Sequence, residues 1–530
     1  MLLPRSIRQW HRRKTTSTIF QLLAFFFLLL LVQIYTHSSP VKVKSHTPTT
    51  SPPGANRPPH PFLKQQAAFW RDLYLIVLNN DPNCDHPPDP VLPHKLDVPY
   101  DPAHNHPRPD VLWLNPADVK RLTEAHSTFV ADLKRNPPAL VYEPGTRGLV
   151  MTAGYSQLPV LVVSIRMLRR TWSLLPVQVF LADESEYDDD ICDNVLPTLN
   201  AKCLLLSDVF HTANSGVAID RYQFKVMAIL FSSFEQVLLL DSDSFPLHDP
   251  EQLFEQEPFN RTGMVVWPDF WFPSESPYYF EIAKISPVPN LTDRPSVESG
   301  ELLYSKSKHA LSIMLATYYN YWGPSYYYPL LSQGAPGQGD KETFAWAAAA
   351  LGFPFYAVRE PVAALGRSDS NGNYIGSAMA QHDPIHDYKA SIRTQQQQQQ
   401  PPTSDEKSKD ELGDIVKASA RLRPFFIHAN VPKFDPSTIF QHQSTGFAGE
   451  VISSGGPTTD SNGTSVRCWM SREKAIAHFG FDVEYRFWEE IKGTACEYEH
   501  RFGCWKDKQG ICDRVTQYWR DVFESVSQVS

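Results

Sequence analysis

The chain has 530 residues, 42% hydrophobic and 20% charged, enough apolar material for one large domain with elaborations or two to three ordinary ones. Its net charge of −9 leaves no electrostatic footprint for nucleic acid. The 45 prolines exceed the usual share of about 5% and crowd the region before residue 140, which predicts extended loops there.

Arg5, Arg8, Arg12, Arg13 and Lys14 precede an apolar run over residues 19–35 that only Gln21 and Gln33 interrupt. That length meets the lower end of the roughly 17–25 residues that span a bilayer. Positive charge before the run keeps the N-terminus cytosolic. The pattern predicts a cytoplasmic tail at 1–14 and a type II transmembrane signal anchor at 15–36. A cleaved signal peptide is the alternative, although "YTHSSP" offers no clear small-x-small cleavage site. Pro, Ser and Thr dominate residues 37–62, a composition that builds no core and reads as a stem. Asn260, Asn290 and Asn462 each open an Asn-x-Thr glycosylation acceptor, in keeping with a lumenal domain.

Residues 63–140 combine a helix over "LKQQAAFWRDLYLIVLNN" with proline-rich loops. Regular alternation then begins. Leu149-Val150-Met151 reads as a buried strand, and "LPVLVVSIRMLRRTW" as a helix with Arg166, Arg169 and Arg170 in its basic last turn. "VQVFLAD" and "AKCLLLSDV" follow as strands, "RYQFKVMAILFSSF" as a helix and "QVLLLDSD" as the next strand. Such alternation predicts an α/β domain with a mostly parallel sheet. The first turn lacks G-x-G-x-x-G, so a nicotinamide cofactor is not indicated, and "GAPGQGDK" is not a P-loop. The glutamine-rich stretch at 394–418 reads as a low-complexity insertion. Residues 436–530 read as a loop-rich, cysteine-bearing region. Cys468, Cys496, Cys504 and Cys512 lack C-x-x-C spacing, which favours two disulfides over zinc. Cys192 and Cys203 suit a local bridge, leaving Cys84 odd.

The strand "VLLLDSD" ends in Asp241 and Asp243. Residues two apart on a strand point to one side. Both carboxylates therefore converge at the C-terminal edge, where open α/β sheets place ligands. Two such groups repel unless a cation sits between them, and a hard divalent ion suits the position. An ordinary strand end with solvated aspartates is the alternative. Asp188 and Asp190 repeat the spacing in an acidic loop read as solvated.

An anchor, a stem, a parallel α/β domain and D-x-D at a strand end together resemble Golgi glycosyltransferases of GT-A architecture. The stretches "GTRGLVMTAG", "LVVSIRMLRRTWSLLPVQVFLADE", "YQFKVMAILFSSFEQVLLLDSDSFPLHDPEQLFE", "ESGELLYSKSKH", "GQGDKETF" and "FIHANVPKF" are similar to the fungal α-mannosyltransferases that build mannan side chains, glycosyltransferase family 71. The resemblance is nearer to members adding α-1,2-linked mannose than to those adding α-1,3. It implies a GT-A domain over 141–435 that transfers mannose from GDP-mannose to a mannose hydroxyl, with retention and with Mn²⁺. It also implies a mannose-containing glycan acceptor, the Golgi membrane and other Golgi mannosyltransferases as partners, with the catalytic domain lumenal. Asp241, Asp243 and His428 would hold the metal, although His428 also suits a satisfied structural histidine. On the acceptor side stand Glu298, Asp340 and Glu342, the last two equally placed to begin a helix. Arg147, Thr152, Gly154, Tyr155, Lys225 and Lys433 are the candidates for donor binding. The aromatics of "PDFWFPSESPYYF" and "YYNYWGPSYYYP" suit sugar stacking or core. A different nucleotide sugar, such as a UDP-sugar, and an inert Golgi scaffold are the competing classes.

Overall fold

Val237, Leu238, Leu239 and Leu240 are each at most 1% exposed, so both faces of their strand are covered. Burying each such side chain contributes about 1.5–3 kcal/mol. The computed structural model describes residues 60–88, 96–369, 371–398, 422–441, 444–445, 451–452 and 455–524. The expected tail and anchor, and nearly all of the stem, lie outside them. Among the described residues no helix is long and apolar enough to cross a membrane.

The main sheet has seven strands, β1 (Glu143–Thr152), β2 (Val177–Leu181), β3 (Ala201–Leu205), β4 (Phe234–Asp241), β6 (Met264–Pro268), β7 (Val297–Ser305) and β8 (Tyr356–Ala357), with β5 (Ser244–Pro246) in a second sheet. Their order is β3-β2-β1-β4-β7-β6-β8. β3, β2, β1 and β4 are parallel, as the alternating sequence predicts. β7 runs antiparallel to β4 and β6, and β8 is parallel to β6.

One face of the sheet is covered by α1 (Leu63–Asn79), α2 (Pro116–Arg135), α4 (Gln223–Phe231), α5 (Ala310–Tyr321) and α6 (Thr343–Leu351), which share one core with Val237 and Leu239. Asn115 caps α2 by accepting from the Ala117 N–H at 2.9 Å, and Pro116 fills the first position, where no donor is needed. The opposite face packs against α3 (Leu158–Arg170), together with Leu238 and Leu240.

The C-terminal region corrects the loop-rich expectation. Its described residues include the α-helices α7 (Arg472–Phe479), α8 (Val483–Tyr498) and α9 (Ile511–Trp519). Val483, Phe487, Trp488, Ile491 and Ala495 are buried at helical spacing and join the α3 side of the core. Two of the three arginines read as a basic last turn, Arg166 and Arg170, are spent on this contact, while Arg169 donates to the carbonyls of Leu199, Ser173 and Leu175. Arg166 donates to Glu490 at 2.7 Å and Glu497 at 2.8 Å, and Arg170 donates to Glu490 at 2.6 Å. Gly493 makes the approach possible, since a Cβ there would lie 2.5 Å from an Arg166 guanidinium nitrogen. The second D-x-D is solvated at only one of its two aspartates. The Asp190 side chain stays 40% exposed and is clasped by Arg501 with two bonds of 2.7 Å, whereas Asp188 is buried and accepts from the Gly503 N–H at 2.8 Å.

Cys192 bridges Cys203 as expected, but only one of the two disulfides expected near the C-terminus forms, Cys496–Cys512. Cys84, Cys468 and Cys504 are free. The insertion expected from residue 394 begins as helix instead, because Pro384–Gln398 is one α-helix; residues 399–421 lie outside the described ones.

Candidate active site

The second sheet, β5-β11-β10-β9, is built from β5, β9 (Ala363–Ser368), β10 (Tyr374–His382) and β11 (Pro424–His428). β5 starts one residue after Asp243, so its antiparallel pairing with β11 sets Ser244 opposite His428. The Ala429 N–H donates to the Asp243 carbonyl at 2.9 Å. Asp243 and His428, 185 positions apart, are thereby brought together at the end of β4.

Asp241, Asp243 and His428 bring their donor atoms within 4.8 Å of one another. His428 Nε2 is 3.2 Å from Asp243 Oδ1 and 3.9 Å from Asp241 Oδ2. Two carboxylates and an imidazole suit a divalent ion that prefers oxygen ligands and accepts one imidazole nitrogen, such as Mn²⁺, so the donor set fits the metal that the resemblance implies. Glu298, Glu301 and His428 form a second such group. Glu301 is fully buried, whereas the Asp241 side chain keeps 21% of its exposure, so the first group is the one a soluble ligand reaches.

The charges are compensated within the protein. Lys225 Nζ lies 2.9 Å from Asp241 Oδ1 and donates to the Ser299 carbonyl at 3.0 Å. Lys433 pairs with Asp243. Burial opposes ionisation of Asp243, yet Lys433 and His428 outweigh it and hold the carboxyl below its usual range. Burial likewise opposes charge on His428, but Asp243 and Glu298 raise its pKa well above the ordinary value.

Glu298 Oε1 lies 3.2 Å from His428 Nδ1 and accepts from the Gly300 N–H at 2.8 Å. It sits behind the imidazole. Gly300 is the reason the ring fits, because a Cβ there would come within 2.5 Å of Nδ1. Glu301 accepts from Ser244 Oγ at 2.6 Å, and its other oxygen has no partner. Burial first, and Glu298 among its neighbours, push its carboxyl up to about 7. Sequence reasoning missed Glu301. Its signal was the register alone, since Leu240 pairs with Glu301 across β4 and β7.

Asp340 is buried beside Lys225. Its Oδ1 accepts from Ser299 Oγ at 3.2 Å, and Oδ2 has no partner. Burial, with Asp241 nearby, outweighs Lys225 and raises its carboxyl to about 6. It does not cap α6 with its side chain; the Thr343 N–H bonds to its carbonyl at 2.9 Å. Glu342, by contrast, is consumed structurally. It accepts from the Val297 N–H at 2.7 Å and from Arg294 at 3.0 Å.

Thr152 pairs with Asp241 across β1 and β4, at the same sheet edge. Gly154 and Tyr155 follow, with Glu186 accepting from the Tyr155 N–H. Arg147 is not part of this group. It pairs with Gln236, five residues from Thr152 along β1, or about 16 Å, and its guanidinium meets Glu255 at 2.9 Å. The aromatics around 318–328 are core, with Tyr318, Tyr319 and Tyr327 fully buried. Asn260, Asn290 and Asn462 are all exposed.

Residues 146–294 and 289–383 match the family model described as "Mannosyltransferase putative". The chain is 32% identical over 458 residues to α-1,2-mannosyltransferase MNN21 of Candida albicans, covering 77% of this chain and 66% of that protein. It is 33% identical to α-1,2-mannosyltransferase MNN2 of Saccharomyces cerevisiae, over 61% of this chain and 62% of that one. With MNN5 of Saccharomyces cerevisiae strain YJM789, also named an α-1,2-mannosyltransferase, identity is 30% over 72% and 73%. The match to the first of these relatives thus spans just under two thirds of its length. Among solved structures, the galactosyltransferase LgtC overlaps at TM-score 0.27 and 11% identity, over 40% of this chain and 73% of that one. The glycosyltransferase GlyE of Streptococcus pneumoniae overlaps at TM-score 0.26 and 14% identity, over 40% and 45%.

Proposed function

We propose, for a chain that belongs to the fungal mannosyltransferase family, that it transfers mannose from GDP-mannose to mannose residues of glycoprotein glycans, forming α-1,2 linkages with retention. The observation that carries the reading is the convergence of Asp241, Asp243 and His428 at the sheet edge in a chain whose relatives are named α-1,2-mannosyltransferases. The domain is read as GT-A, supported by a β3-β2-β1-β4 parallel half that ends at this cluster. Membrane anchorage through residues 15–36 with the large domain lumenal rests on the N-terminal charge pattern, and the Golgi location on the resemblance to Golgi glycosyltransferases.

Asp241, Asp243 and His428 would hold Mn²⁺, whose positive charge stabilises a diphosphate leaving group as the glycosidic bond breaks. Lys225 and Lys433, already oriented on the two aspartates, add cationic charge beside the same phosphates. Thr152 and Gly154 border the space for nucleoside and sugar. Asp340 has one buried oxygen without a partner, suited to accept from a sugar hydroxyl. Its raised pKa of about 6 still leaves it mainly ionised at pH 7. Glu298 supports His428 from behind, and Glu342 braces the loop at Arg294.

The test is incubation of the detergent-solubilised full chain with GDP-mannose, Mn²⁺ and α-mannobiose, reading linkage and anomer by NMR. An α-1,2-linked trisaccharide is expected. A β-linked product, or transfer only from a UDP-sugar, overturns the proposal.

A further inference from the structure

Away from the aspartate cluster, a groove of about 1780 Å³ runs between the tip of the β9–β10 hairpin, the hairpin at 458–466 and the first turns of α8. Its lining combines three features. Tyr374 and Tyr485 are 55% and 37% exposed, although large aromatic side chains gain from burial. Tyr485 is backed by Trp519, with ring centroids 4.6 Å apart, and Lys492 covers the Trp519 ring at 4.0 Å. One ring therefore stands up on a packed aromatic base. Exposed hydroxyls of Ser368, Thr459 and Ser471 line the same groove.

The charge pattern narrows the ligand. The groove's lining residues carry both signs, and Arg467 is engaged by Asp482 and Glu484 at 3.0 and 3.3 Å. No single-sign field is left for a phosphate or a polycation. Exposed aromatic faces between hydroxyls and mixed charges suit a neutral polyol, whose C–H face stacks on a ring while its hydroxyls donate and accept. The groove is also connected to the cluster. β10 begins at Tyr374 in the groove, and five residues on, about 17 Å along the strand, Met379 pairs with His428.

We propose that this groove is a second glycan-binding site, which holds a distal part of a mannose polymer while its end is extended at the aspartate cluster. The proposal rests on the mannosyltransferase reading. The groove contributes affinity for long acceptors and none to the chemistry, so short acceptors do not sense it.

The test compares the full chain with Tyr485→Ala and Tyr374→Ala, using α-mannobiose and a soluble α-linked mannose polymer as acceptors. Both side chains are exposed, so both variants should fold, with melting temperature as the check. The KM for the polymer should rise about tenfold, the effect of losing one stacked ring, with kcat and the α-mannobiose kinetics unchanged. An equal change for both acceptors, or none for either, overturns the proposal. Binding of the polymer without donor separates this idea from the catalytic one, because an inactive chain that binds the polymer through Tyr485 still supports the groove. Wild-type binding that Tyr485→Ala leaves intact overturns it. The groove also lies beside exposed Asn462, whose neighbours Ser461 and Thr464 line it. Polymer binding that appears only in Asn462→Gln would make the chain's own glycan the occupant, and overturn the proposal too.

Discussion

His428 Nδ1 lies 3.2 Å from Glu298 Oε1, while Nε2 of the same ring faces Asp243 Oδ1 at 3.2 Å. Carboxylates behind a ligating imidazole fix its orientation, and removing such a partner typically costs 10–100-fold in metal affinity. Glu298→Gln should therefore weaken Mn²⁺ binding by about 10–100-fold in a direct titration without substrates. A fall in turnover with unchanged Mn²⁺ affinity would instead put Glu298 on the substrate.

Gly300 gives a steric version of this experiment. In Gly300→Ala the new Cβ would meet His428 Nδ1 at 2.5 Å and Glu298 Oε1 at 2.9 Å, forcing the ring away from the aspartates. A displacement near 1 Å can cost about 100-fold in rate. We expect a loss of that size in transfer, with the far-ultraviolet spectrum unchanged. Normal turnover would show that the ring position is irrelevant.

Arg147 provides the negative control. Its place opposite Gln236 and its partner Glu255 remove it from donor binding. Arg147→Ala should leave KM for GDP-mannose within about twofold, since an exposed ion pair is worth only about 0–1 kcal/mol. A large rise in that KM would return it to the site.

The strands, the helices between them and the aspartate pair were legible in the sequence because each is local. Four apolar residues before Asp241 declare a strand, and spacing of two declares convergence. Glu301 was not legible, for its role depends on an antiparallel partner about sixty residues away. The same applies to Glu342, which reads as a site acid until Arg294 is seen against it. The C-terminal helices read as loop in the sequence because aromatic and cysteine content masks their spacing. Val483, Phe487, Trp488, Ile491 and Ala495 do recur with a helical period. Their partner face on α3, and the use of Gly493 to admit Arg166, required the fold.

The Cys496–Cys512 bridge closes a loop of 16 residues between α8 and α9. Chain-entropy reasoning gives a bridge of this length about 3 kcal/mol. Cys496→Ser should lower stability by about that amount in chemical denaturation, with Cys192–Cys203 intact. An unchanged midpoint would mean that helix packing alone fixes α9.

His126 is buried, with Nε2 2.8 Å from the Tyr319 hydroxyl. Burial lowers its pKa to about 4. The unfolded chain, with an imidazole near 6.5, then binds more protons between the two values. Stability is full above pH 6.5 and falls as pH drops toward 4, by about 2 kcal/mol at pH 5 for one fully buried ring. His126→Gln should flatten the loss of melting temperature between pH 7 and pH 5. An identical slope in both proteins would contradict the assignment.

The most direct test of the central claim is titration of Mn²⁺ with GDP into the full chain and into Asp243→Ala, followed by transfer assays with GDP-mannose on the same preparations. The account predicts one Mn²⁺ site in the parent and the loss of both binding and α-1,2 transfer in the variant, with its fold retained. Mn²⁺ binding of parental affinity in a folded Asp243→Ala chain, or transfer that persists in it, would contradict the account.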